Sequence, residues 1–186
     1  TTRYESEAGR WNNGCLECHT TGPLPKRSDN PAHRHIFDTQ VAELGISCEA
    51  CHGPGENHVA IHANPEDGEV RKLTDHIVDP ANLDHRRASQ ICGACHSLSN
   101  PLQARFERPY HDPGQELTNG YSLTAPPHHR IAGIMSENPE AFATPADVDP
   151  DYDSQFWWDG MVRVSGREYS GLLQSACHTQ GELSCL

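Results

Sequence analysis

Three Cys-x-x-Cys pairs, each followed at once by a histidine, constrain this 186-residue chain more than any other feature: Cys15-Leu16-Glu17-Cys18-His19, Cys48-Glu49-Ala50-Cys51-His52 and Cys92-Gly93-Ala94-Cys95-His96. On one helical turn the positions i, i+3 and i+4 share a face, so two thiols can hold the vinyl edges of a macrocycle while the imidazole reaches its iron. CxxCH is accordingly the attachment pattern of a c-type haem. Zinc ribbons and disulfide frameworks also use paired cysteines and stand as the alternatives, but neither asks for the trailing histidine. With 13 histidines in 186 residues, three such coincidences would arise by chance in roughly 3 of 10,000 chains. The reading is therefore three haem c groups, with His19, His52 and His96 as their proximal ligands.

Composition agrees with a cofactor-built core. Only 35% of residues are hydrophobic and the mean hydropathy is -0.71, too little apolar side chain to offset the conformational entropy of ordering a domain this long. Flat apolar macrocycles, each tethered at two points, would supply the missing core. Fourteen prolines and fifteen glycines interrupt long elements,. The fold class expected is mainly irregular/α: short helices and loops wrapped around several covalent haems, with one small β-hairpin. Residues 1–186 are read as one multihaem domain, with a haem-binding core over 1–100 and a haem-covering loop and hairpin region over 101–186.

A formal net charge of -12 argues against nucleic acid and anionic lipid as partners,. It leaves a redox partner of basic surface, other cytochrome subunits, or self-association as a homo-oligomer or filament. No stretch has the eighteen or more apolar residues of a membrane span. Haem is attached to CxxCH outside the cytoplasm, so the localisation expected is periplasmic or extracellular, with a signal peptide removed or lying upstream.

Along the chain, Trp11 is the large apolar group of an exposed lead-in, placed to pack on the first haem or at an interface,. Ile36, Val41, Leu44 and Ile46 suggest a short helix and turn leading into the second motif. Gly53-Pro54-Gly55 then stops that motif's turn, after which Asn57 could cap a helix over His58–Ala63 with His58 and His62 on one face,. Ala88, Ile91, Cys92, Cys95 and His96 fall at helical spacing, with Ser89 as a cap near the start,. The acidic run at 147–153 reads as a solvated loop, with a calcium site as the alternative,. Phe156 to Val164 resembles a hairpin about Asp159-Gly160, with Trp157 or Trp158 covering a haem face,.

The runs CEACHGPGENHV, RWNNGCLECHTTG and FWWDGMVRVSGREYSGL resemble the periplasmic multihaem c-type cytochromes. Within that group the chain is most similar to the branch with the tetrahaem cytochromes that accept electrons from hydroxylamine oxidation. The resemblance implies electron transfer; the individual redox partner does not follow from it. It also implies His58, placed after Gly-Pro-Gly, as a distal iron ligand. Ten histidines remain beyond the proximal three, against only two methionines, so His/His ligation is the expectation,. His35 and His129, each near another histidine, are further ligand candidates. Related multihaem enzymes keep one iron open for nitrogen-compound chemistry, so a multihaem oxidoreductase or its subunit is the competing reading. Here every motif ends in His, and no catalytic residue is assigned.

At the C-terminus, Gln174-Ser175-Ala176-Cys177-His178 is a haem motif without its first cysteine, and Cys185-Leu186 would begin another. The expectation is that the chain is a fragment of a longer polypeptide with a fourth haem, bound in part by Cys185. His178 is then a candidate ligand, and Cys177 either a free thiol or a disulfide partner of Cys185.

Overall fold

The computed structural model describes residues 11, 15–24, 39–63, 76–102, 111–124, 128–141, 143–148, 152–157 and 159–186, with side chains left undescribed at 101, 128–132 and 146. It is mainly irregular and α-helical, with short helices, much loop and two small antiparallel two-stranded sheets among the described residues.

The first motif lies on α1 (Leu16–His19), whose Leu16 is fully buried. The Thr20 hydroxyl donates back to the Leu16 carbonyl at 2.6 Å and closes the turn. The chain then extends as β1 (Thr20–Thr21), which pairs with β2 (Glu43–Leu44) in the register Thr20↔Leu44 and Thr21↔Glu43. Thr21 Oγ1 donates to the Gly45 carbonyl and accepts from the Ser47 backbone N–H, both at 2.9 Å. Thus the exit from the first motif is stitched to the entry of the second. This corrects the expected helix: in the described part of that segment, 39–48, the backbone is extended or turning. Leu44 and Ile46 stay exposed, so no apolar face is buried there to drive helix formation,.

The second motif occupies α2 (Glu49–His52), which ends at Gly53 with φ 77°, a left-handed conformation that glycine adopts freely,. A second helix, α3 (Glu56–His62), follows at once. Asn57 lies inside its first turn and is not its cap; instead the Glu49 carboxylate reaches across the turn and accepts from the Gly55 N–H at 2.7 Å.

The third motif ends α4 (His85–His96), the longest helix among the described residues. Its cap is Asp84, which accepts from the Arg86 and Arg87 N–H groups at 3.0 and 3.1 Å,. Ser89, the expected cap, sits a turn inside the helix, buried, with its hydroxyl donating to the His85 carbonyl at 2.7 Å. Sequence pattern located this helix but set its start one turn late, because Asp84 lies just outside the apolar periodicity.

Around α4 the chain builds its small core. Strands β3 (Ser99–Pro101) and β4 (Tyr121–Leu123) pair antiparallel, α5 (His128–Glu137), α6 (Pro145–Val148) and α7 (Tyr152–Gln155) follow, and α8 (Glu168–Leu172) and α9 (Ala176–Thr179) close the chain. Leu117, Tyr121 and Tyr169 form one buried cluster, packed by Ala94, Leu123, Leu172 and Leu173. Tyr152 and Phe156 form another, with Leu98, Met135, Val148 and Val162. The expected hairpin is a single antiparallel bridge, Phe156↔Val162, closed by Gly160 at φ 80°. The acidic run is helical at both described ends, and Asp147 accepts from the Ala143 and Thr144 N–H groups. Among the described residues these two clusters hold little apolar surface, in keeping with the low apolar content of the sequence,.

Candidate functional site

The Cys-x-x-Cys-His residues stand where helical turns place them. Two sets of them line cavities. One, of about 590 Å³, lies between the first and third motifs and is bordered by Cys15, Cys18, His19, Cys95, His96 and Arg167. The other, of about 660 Å³, is bordered by Cys48, His52, His58 and Val59 of the second motif and α3, with Ile77 opposite. No disulfide joins any of the eight cysteines.

The first and third motifs touch. Cys18 Sγ lies 3.7 Å from the Cys95 carbonyl oxygen, and Cys95 Sγ lies 4.0 Å from that of Glu17. Arg167, from the start of α8, donates through Nη1 to the Cys95 carbonyl at 2.6 Å. The hydrogen bond between the two thiols, with the nearby guanidinium, holds Cys18 below the usual thiol range and, with burial, pushes Cys95 above it,. Cys51 of the second motif is close enough to raise Cys92 and Cys95 as well, and burial takes Cys92 to about 11.

The motif histidines are oriented by partners that sequence reading did not identify. His52 Nδ1 lies 2.7 Å from the Val78 carbonyl oxygen, and the Val78 N–H donates to the His52 carbonyl at 2.9 Å. A carbonyl oxygen only accepts, so Nδ1 carries a proton and Nε2 is the ring nitrogen left to face a metal. His96 Nδ1 lies 2.8 Å from a Glu168 carboxylate oxygen, with the same consequence. His178 repeats the arrangement against the Leu183 carbonyl at 2.6 Å. An imidazole with Nδ1–H held and Nε2 bare is set up as a metal ligand.

Three further histidines carry a buried Nε2 without a hydrogen-bond partner: His62, His85 and His111. Buried polar nitrogens are ordinarily satisfied, so three orphans in one small chain call for an acceptor or a metal. Burial holds His111 below the ordinary imidazole value. The ring of His85 meets that of His178 edge-on, with centroids 5.1 Å apart, and His62 lies 4.6 Å from His58. Spacing alone pairs His58 with His62, but no local signal marks His85 or His111, whose burial depends on residues distant in sequence. Chemically, two large cavities, bare Nε2 atoms and paired thiols fit a macrocycle with an iron that takes nitrogen on both faces.

Other expected ligands are placed less fully. His35 lies outside the described residues. His129 is on α5, with its side chain outside the description. His178 is buried on α9. Cys185 does not join Cys177; its backbone N–H donates to Ser89 Oγ at 3.2 Å and its thiol meets Cys92. Trp157 is half-exposed beneath the Arg163 guanidinium, 4.8 Å from its ring centroid, and Trp158 lies outside the described residues. No helix among the described residues is long and apolar enough to cross a membrane.

Residues 2–53, which contain the first and second motifs, match the family model described as cytochrome c554 and c-prime. No curated protein matches the chain, and no solved structure does. The match supports the multihaem c-type cytochrome family, and with it covalent haem c and electron transfer.

Proposed function

We propose that this chain, whose first 53 residues carry the multihaem c-type cytochrome match, is a periplasmic or extracellular electron carrier. In this reading it holds three haem c groups through Cys15/Cys18, Cys48/Cys51 and Cys92/Cys95. The observation that carries the reading is the state of the motif histidines: His52 and His96 each have Nδ1–H engaged by an oxygen and Nε2 free beside a cavity their own cysteines line,. When bound, haem supplies a reversible one-electron iron couple.

The chain's own residues do the rest. The paired cysteines fix each macrocycle by thioethers, which also removes the thiol titrations described above. His19, His52 and His96 would each supply one nitrogen ligand to an iron, and His58, His62, His85, His111 and His178, with His35 and His129 as further candidates, would supply the others. Two nitrogen ligands on each iron would limit reorganisation and leave no open position for a substrate. Contact between the first and third motifs would bring the cofactors held there close together. The acidic surface suits a basic redox partner,.

Intact mass and extraction with acidified organic solvent test this. Three haems that stay on the polypeptide, and a reduced protein that binds carbon monoxide poorly, support the carrier. Haem that washes off, or zinc in its place, overturns it; stoichiometric carbon monoxide at one iron would move the protein to the oxidoreductases.

A further inference from the structure

The two proximal histidines with known partners are held by acceptors of different charge. His52 Nδ1–H donates to a neutral backbone carbonyl, that of Val78. His96 Nδ1–H donates to a carboxylate, that of Glu168, at 2.8 Å. Glu168 is built into place: it is the first residue of α8, its other oxygen accepts from the Gly166 N–H at 3.0 Å, and its neighbour Tyr169 is packed into α4 against Gly93. The carboxylate therefore reaches His96 from a segment 72 residues away in sequence that the core fixes independently.

We propose that Glu168 sets the reduction potential of the third haem, holding it below that of the second. The inference rests on the haem reading above. A carboxylate pulling on Nδ1–H gives the imidazole anionic character and makes Nε2 a stronger donor. A stronger donor stabilises the ferric over the ferrous ion, and the negative charge adds in the same direction. A carbonyl does this far less, so the second site stays the more easily reduced. The Glu168 side chain is largely exposed, which screens its through-space charge,. The hydrogen bond acts on the ring directly, through Nδ1,. The consequence is a built-in gradient: an electron on the third haem is driven toward the second.

Glu168→Gln keeps the shape and the acceptor oxygen while removing the charge, and Glu168→Asp keeps the charge on a shorter arm. Intact mass of each variant first establishes the haem count. Spectropotentiometric titration should then show one couple rising in Glu168→Gln, with a tenfold or larger change in its reduction equilibrium, about 59 mV for one electron. The others should stay in place, and Glu168→Asp should return part of the shift. Three haems with every couple unmoved, or all couples moving together as a general field effect would make them, overturns the inference and leaves the carrier reading standing. A protein without covalent haem overturns that reading and this inference with it.

Discussion

The ring of Tyr169 fills the space that a side chain on Gly93 would need: a Cβ at position 93 would meet ring atom Cδ1 at 2.6 Å. Gly93 is the first residue between the cysteines of the third motif, so this contact seats α8 directly on the turn that carries Cys92, Cys95 and His96. It is what brings Arg167 to the Cys95 carbonyl and Glu168 to His96.

Gly93→Ala should consequently destabilise the protein by about 1–3 kcal/mol, the usual penalty for overpacking a well-filled site. Urea unfolding of the holoprotein measures it. Adding Tyr169→Leu, which empties the ring's place, should return part of the loss; a fully stable single variant would mean that α8 can shift without cost.

Alkaline stability should depend on Tyr169. Burial pushes its phenol up to about 12. A raised pKa in the folded state means its contribution is intact below the ordinary value near 10 and is lost as pH rises through 12. Tyr169→Phe should flatten the stability profile between those limits. An unchanged slope would place the alkaline transition elsewhere.

Acid stability should depend on Asp84. Hydrogen bonds from the Arg87 and Arg86 backbone N–H groups hold its carboxyl below its ordinary 3.8. Its contribution is present above that value and lost as pH falls through the lowered one. Asp84→Asn retains an acceptor for the cap but cannot titrate, so thermal melts of the variant should lose this part of the acid slope while keeping α4.

His111 and His58 are testable as distal ligands. His111 is buried with Nε2 unsatisfied, and His58 lines the same cavity as His52. If the proposed haem reading holds, replacing either with alanine should turn one haem high-spin, and the reduced variant should take up about one equivalent of carbon monoxide. An unchanged electronic spectrum removes that residue from the ligand set.

The sequence by itself determined which cofactor chemistry to expect, because the attachment pattern is local. Cys-x-x-Cys-His needs only one helical turn to bring its three groups together, and glycine after His52 suffices to end that turn,. The loop-rich, helical character was legible for a related reason: a chain with so many prolines and glycines and so little apolar content has few other ways to fold. Helix starts were less legible. Asp84 caps from outside the periodic pattern, and Asn57, a good cap by type, falls two positions after the actual cap, Gly55. Leu44 and Ile46 read as helical apolar positions, yet pairing of Thr20–Thr21 with Glu43–Leu44 took that segment instead. Only the tertiary structure decided which oxygens hold the motif histidines and which histidines are buried. Val78 lies 26 residues from His52 and Glu168 lies 72 from His96. Contacts at such separations depend on how the whole core packs, and no pattern confined to one turn or one strand records them.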